Sequence, residues 1–209
     1  MVPVSHFRQL SRALIAPIAI VAVLPSPAQA QFSDSYKFLD SVRKKEGDKV
    51  TDLLAEGSPN LINTKDQTSG DTALHIVTQR RDLTWLEFLI GKGANVNARN
   101  FKGDTPLVVA CSLNWIEGVE LLVEFGAHVD EPNSTGETPL IAAVHNRNTA
   151  LMRILLKAGA DPDRTDNSGR NARDYARLDA KAEILLGEID TNAKPKPKAG
   201  QGPQVFGPK

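Results

Sequence analysis

Several things are scarce in this 209-residue chain, and each scarcity excludes something. There is one cysteine, Cys111, so no internal disulfide can staple the fold. No glycine-rich phosphate loop, G-x-S-x-G or H-E-x-x-H occurs, which removes the commonest sequence marks of nucleotide, hydrolase and zinc-protease chemistry. Charge of one sign is missing too, with 25 Lys+Arg against 25 Asp+Glu. The balance is uneven along the chain. Arg8 and Arg12 lie before residue 31, and Lys194, Lys196, Lys198 and Lys209 lie beyond residue 190. The middle therefore keeps nineteen basic against twenty-five acidic side chains, a formal −6. An acidic body argues against nucleic-acid binding, which needs a concentrated basic footprint. A long apolar run is also absent. Residues 13–24 are shorter than the about 20 residues a membrane span needs and contain Pro17.

What is present suits an ordinary globular protein, 41% hydrophobic and 24% charged, with enough apolar material for a core. Residues 1–30 have the three parts of an export signal: Arg8 and Arg12, the apolar stretch, then Pro25-Ser26-Pro27 and the small-x-small close Ala28-Gln29-Ala30. Cleavage after Ala30 is expected. The expected destination is the periplasm, or secretion, where a chain with one cysteine meets no redox conflict.

The middle of the chain repeats. Gly70, Gly103, Gly136 and Gly169 are spaced by 33 residues, as are Gly93, Gly126 and Gly159. In register run "GDTALHIVTQRRDLTWLEFLIGKGANVNARN", "GDTPLVVACSLNWIEGVELLVEFGAHVDEPN" and "GETPLIAAVHNRNTALMRILLKAGADPDRTD", then a decayed "GRNARDYARLDAKAEILLGEI". Thr105 and Thr138 can cap a helix, and Pro106 and Pro139 suit its first position. A short helix with one apolar face follows (Leu107, Val108, Ala110 and Cys111; Leu140, Ala142 and Ala143). After a polar turn comes a second helix with Val119, Leu121, Leu122 and Val123. Gly126 fits the left-handed position just past a helix end. One such unit cannot bury its own apolar face, so neighbours must stack.

This pattern resembles the ankyrin repeat: the G-x-T-P-L-H-x-A opening, the L-L-L run and the G-A-D-V-N close recur in phase. The resemblance implies an all-α solenoid of helix-turn-helix units with β-hairpin loops, about five repeats including caps. The expected bounds are 36–66, 67–99, 100–132, 133–165 and 166–190, followed by a disordered Lys/Pro/Gly tail over 191–209. The first unit lacks the T-P-L-H opening. Its charged side (Arg43, Lys44, Lys45, Glu46) is set against Val50, Leu53 and Leu54. At the other end Asn171-Ala172-Arg173-Asp174 replaces T-P-L-H, as an exposed terminal face requires for solubility.

The residues that look chemical fit the repeat. His75, with Asp71, Thr72 and Asp82 near it, ends a T-P-L-H element, and the family assigns that histidine a structural bond to the threonine and to a neighbouring hairpin. Val108 and Ile141 stand at the same position, so catalysis there is not expected. His128 and His145 lie on different elements without metal-ligand spacing, and neither metal nor cofactor is expected. Cys111 matches Thr78 and Val144, a core position. Trp85, Gly118 and Leu151 share a position on the second helix, which suggests that the Trp85 ring fills the space Gly118 vacates.

In the family, partners contact hairpin tips and the inner face of first helices. By register this implies Thr68, Ser69, Asp71, Gln79, Arg80 and Arg99, then Phe101, Lys102, Asp104, Ser112 and Leu113. The next unit supplies Ser134, Thr135, Glu137, His145 and Asn146. Arg80, Arg99, Phe101 and Trp115, in the inter-helix turn, are the candidate anchors, since binding energy concentrates in aromatic and arginine residues. The expected function is that of an exported, bacterial-type, monomeric, non-catalytic protein that binds another protein as scaffold, regulator or inhibitor. Alternatives are a toxin-neutralising immunity protein and a redox-protective factor resting on Cys111 or His75. The basic tail is available to lie on an anionic surface.

Overall fold

The computed structural model describes residues 27–194, with side chains from Asp34 onward. Most of the leader and of the tail therefore lies outside the described residues, including the apolar stretch and the Lys-Pro segment. Ten α-helices form among the described residues: α1 (Pro27–Lys44), α2 (Gly47–Glu56), α3 (Ala73–Gln79), α4 (Leu83–Gly91), α5 (Pro106–Ser112), α6 (Ile116–Glu124), α7 (Pro139–His145), α8 (Thr149–Ala158), α9 (Ala172–Leu178) and α10 (Ala182–Asn192). A 3-10 turn, Leu61–Asn63, follows α2. Helix α1 begins before the expected cleavage point at Ala30, and α10 runs two residues past the boundary expected at 190.

The local causes are those the repeat implies. Thr105 Oγ1 accepts from the Val108 amide at 3.3 Å and Thr138 Oγ1 from that of Ile141 at 3.2 Å, while Pro106 and Pro139 take the first helical position. Asp82 and Asn148 cap α4 and α8 in the same way. The turn between paired helices uses a signal the sequence hid. Arg81, Asn114 and Arg147, again 33 apart, sit at φ of 54°, 54° and 53°. These are non-glycine residues in the left-handed region, held there by the packed helices on either side. Gly126 is left-handed at φ 82°, as expected.

The first helices α1, α3, α5, α7 and α9 pack side by side, and α4, α6, α8 and α10 form a layer behind them. Leu74, Leu107 and Leu140 line the seam of the first layer, with Leu86, Leu89, Leu122, Leu151 and Leu155 behind. Fully burying each such side chain contributes roughly 1.5–3 kcal/mol, which only stacking can deliver to units this small.

The loops differ from expectation in one respect. No β-strand forms among the described residues, and the segments between repeats are tight turns. Each turn is built on one Asx side chain. Asn100 Oδ1 accepts the amides of Lys102 and Asp104, both at 3.0 Å, and Asn133 does the same for Thr135 and Glu137. Asp166 repeats the arrangement with the amides of Ser168 and Arg170, and Asp66 Oδ1 accepts those of Thr68 and Ser69. With the amides satisfied locally, no ladder is needed to pair them. A single backbone bond joins each pair of tips: the amides of Phe101, Ser134 and Asn167 donate to the carbonyls of Ser69, Lys102 and Thr135 at 3.0, 3.0 and 3.1 Å. A second row of side chains ties the loops after the second helices. Asn63, Asn97 and Asp130 accept from the amides of Asn95, His128 and Asp161.

Candidate functional site

Beneath the tips runs a polar seam. His75 is fully buried, and the Thr72 amide donates to its Nδ1 at 3.2 Å, with Thr72 Oγ1 2.9 Å from the same nitrogen. With Nδ1 accepting, Nε2 carries the proton and donates to the Asp104 carbonyl of the next repeat at 2.9 Å. Burial holds the imidazole below its ordinary value, so it is neutral at pH 7. Both ring nitrogens are committed to backbone or threonine. Asp71 bonds Gln79 and Asn100, and Asp82 caps α4, so neither carboxylate orients the ring. The geometry is that of a joint between repeats. Cys111 is equally enclosed, and burial pushes its thiol far up, away from the reactive thiolate. Among the described residues no group of His, Cys, Asp and Glu converges as metal ligands.

The tips present a different surface. Phe101 is 65% exposed, and its backbone is fixed by the bond to Ser69 while its ring leans on Gly70. A Cβ at Gly70 would lie 2.6 Å from that ring, and Gly70 is left-handed besides, so only glycine serves there. Lys102, Ser134 and Thr135 are exposed beside it on successive tips. Further along, Glu137 and His145 meet Asp166 and Tyr175 in an open recess of about 550 Å³ that Ser134, Thr135, Asn167 and Ser168 also line. His145 Nδ1 donates to Glu137 at 3.0 Å, and its ring stands edge-on to Tyr175 with centroids 4.5 Å apart. Burial raises the Asp166 carboxyl, but hydrogen bonds from Tyr175, Ser168 and the Arg170 amide outweigh it and hold it well below the usual range. The sequence reading missed Tyr175 and Asp166. Their signal was present in the register, since Tyr175 is the lone aromatic in the column of Ile76, Val109 and Ala142.

Three of the expected anchors are spent on the fold. Trp115 is 6% exposed and packs on Gly118, where a Cβ would lie 2.1 Å from its ring. This also corrects the pairing expected for Trp85. The space at Gly118 is filled by Trp115 from the same repeat, while Trp85 stacks edge-on to Phe88 under the Arg80 guanidinium. Arg80 donates to the Val42 carbonyl at 2.6 Å and pairs with Asp82, fastening the first unit to the second. Arg99 pairs with Glu131 and donates to the Pro132 carbonyl at 2.8 Å, bridging two loops. Leu113 is half-buried, and its carbonyl accepts from Arg81. Among the candidates, Phe101, Lys102, Ser134, Thr135, Glu137 and His145 share the tip surface.

The chain matches the family model for ankyrin repeats (3 copies) over residues 40–133 and that for ankyrin repeats (many copies) over residues 122–176. It belongs to the ankyrin-repeat family, whose repeats form protein-protein interaction modules. No curated protein matches the chain.

Proposed function

We propose that this is an exported ankyrin-repeat protein that binds one protein partner through its tip row and acts as its scaffold, regulator or inhibitor. The observation that carries this is the tip geometry. Phe101, Lys102, Ser134 and Thr135 are exposed on backbone that the tip-to-tip hydrogen bonds already hold in place. A rigid, pre-ordered surface loses little entropy when a partner lands on it, and an exposed aromatic on such a surface is the side-chain type that carries binding energy. Chemistry by the protein itself finds little support: family members are generally non-catalytic, His75 is committed, and no reagent reaches Cys111. That enclosure also leaves the redox-protective alternative without an accessible sulfur.

The periplasm is the compartment proposed, on the strength of the leader sequence. Among the described residues no helix is long and apolar enough to cross a membrane. The test is affinity capture from periplasmic extract with the chain carrying a C-terminal tag. A band lost with Phe101→Ser and with Lys102→Glu, and kept with a change on the opposite layer such as Glu120→Gln, supports the reading. A band unaffected by either tip change contradicts it.

A further inference from the structure

The recess at the far end of the tip row has its own counterpart two repeats earlier. Glu137, His145, Asp166 and Tyr175 stand two 33-residue periods on from Asp71, Gln79, Asn100 and Val109. The earlier set is self-sufficient. Asp71 takes the Gln79 side-chain amide on Oδ2 at 3.0 Å and that of Asn100 on Oδ1 at 2.9 Å, so both carboxylate oxygens are filled from within the fold. In the later set His145 keeps the place of Gln79 and donates to Glu137 Oε1 at 3.0 Å. Asp166 takes the place of Asn100, and a carboxylate has no proton to give. The Tyr175 hydroxyl, in the place of Val109, donates to Asp166 Oδ2 at 2.5 Å. The other donors to Asp166 are the Ser168 hydroxyl and the amides of Ser168 and Arg170. All of these are uncharged, so they hold the carboxyl ionised without cancelling its charge. None of the described residues lining the recess is Lys or Arg. Two carboxylates thus share one concave surface where the earlier copy has an acid and its amide.

We propose, resting on the tip-row reading above, that this recess receives an arginine side chain of the protein partner, its guanidinium spanning Glu137 and Asp166 and its face set against the Tyr175 and His145 rings. A guanidinium carries five N–H donors in a flat fork, which suits two carboxylates, and its face stacks on aromatic rings. The two rings make a corner, at 77° to each other with centroids 4.5 Å apart, and His145 is exposed while Tyr175 is half-buried. The volume, about 550 Å³, admits the whole side chain. A lysine ammonium is a compact point charge with no flat face to offer that corner. A metal ion lacks ligands here, since among the described residues no third acid, histidine or cysteine converges with these. The replacement of Asn100 by Asp166 in this column thereby turns a joint between tips into a cation-seeking site.

Titration of the full chain with N-acetyl-arginine amide, followed by backbone amide shifts, tests this. Saturable shifts are expected at Glu137, Ser168 and Tyr175. The neutral isostere N-acetyl-citrulline amide and the lysine derivative should each bind at least roughly tenfold more weakly. Asp166→Asn restores the residue that Asn100 and Asn133 place in this column, so the turn is kept while arginine affinity falls by roughly tenfold. Unchanged shifts over α3–α6 show that the variant is folded. No saturable response to the arginine derivative, an equal response to citrulline or lysine, or full affinity in Asp166→Asn overturns the proposal. A flat arginine titration beside a capture band that depends on Phe101 and Lys102 overturns this proposal alone. Saturable arginine binding beside a band indifferent to those changes supports the guanidinium site and overturns the tip-row reading.

Discussion

The seam under the turn tips and the tip row above it lie only a few residues apart in the chain, and they do opposite things. In the seam, Thr72, His75, Thr105 and Thr138 are buried; Thr105 and Thr138 cap the first helices of their own repeats, and His75 ties its repeat to the next through the Asp104 carbonyl. On the tips, Phe101, Lys102, Ser134 and Thr135 keep their side chains outward while their backbones are tied down. The difference teaches that a polar residue in a repeat protein is read by its column. A histidine beside a threonine and an acid looks chemical on its own line of sequence. Three copies of the line show it to be one of two ways of filling the same slot, the other being Val108 and Ile141.

If the seam carries stability and the tips carry binding, substitutions should separate cleanly. The largest effect is expected from Leu140→Ala in the seam, about 3–4 kcal/mol by urea unfolding, because the packed neighbours on both sides leave the cavity open. Gly118→Ala comes next. The helix gains about 1 kcal/mol in propensity, but the added carbon meets the Trp115 ring, so a net loss of about 1–2 kcal/mol with a shift in tryptophan emission is expected. A gain in melting temperature with unaltered emission would contradict the packing described here. His75→Leu keeps the volume and loses the hydrogen bonds to Thr72 and Asp104, costing about 1 kcal/mol at pH 7.

The same histidine makes stability depend on pH. Its folded value lies below the ordinary 6.5, so the unfolded chain binds the proton first as pH falls. The contribution is complete above about pH 6.5 and declines as pH falls through the lowered folded value. The parent should therefore lose more melting temperature than His75→Leu between pH 7.5 and pH 5. Smallest of all, Phe101→Ser should stay within about 0.5 kcal/mol of the parent in stability while weakening partner capture.

How much of this was legible in the sequence follows from the same contrast. Column identity fixes burial, so the helix pairs, the threonine caps, the buried Cys111 and the structural role of His75 could all be read from the 33-residue spacing. Direction within a column could not be read. Trp115 and Arg80 occupy positions that carry mostly polar residues in other repeats, and only packing shows that one folds back over Gly118 and the other reaches Val42. The strandless turns were hidden for a related reason. Asn100, Asn133 and their acidic counterparts satisfy the turn amides from a side chain, which a resemblance to hairpins does not reveal.

The measurement that bears most directly on the account is the nitrogen spectrum of the His75 imidazole in the folded chain at pH 7. A single neutral species is expected, protonated at Nε2, with a slowly exchanging proton and a titration displaced below the ordinary 6.5. An Nδ1-protonated ring, or one that titrates above 6.5 in fast exchange with water, would show a histidine free to act on something else and would contradict its assignment to the seam.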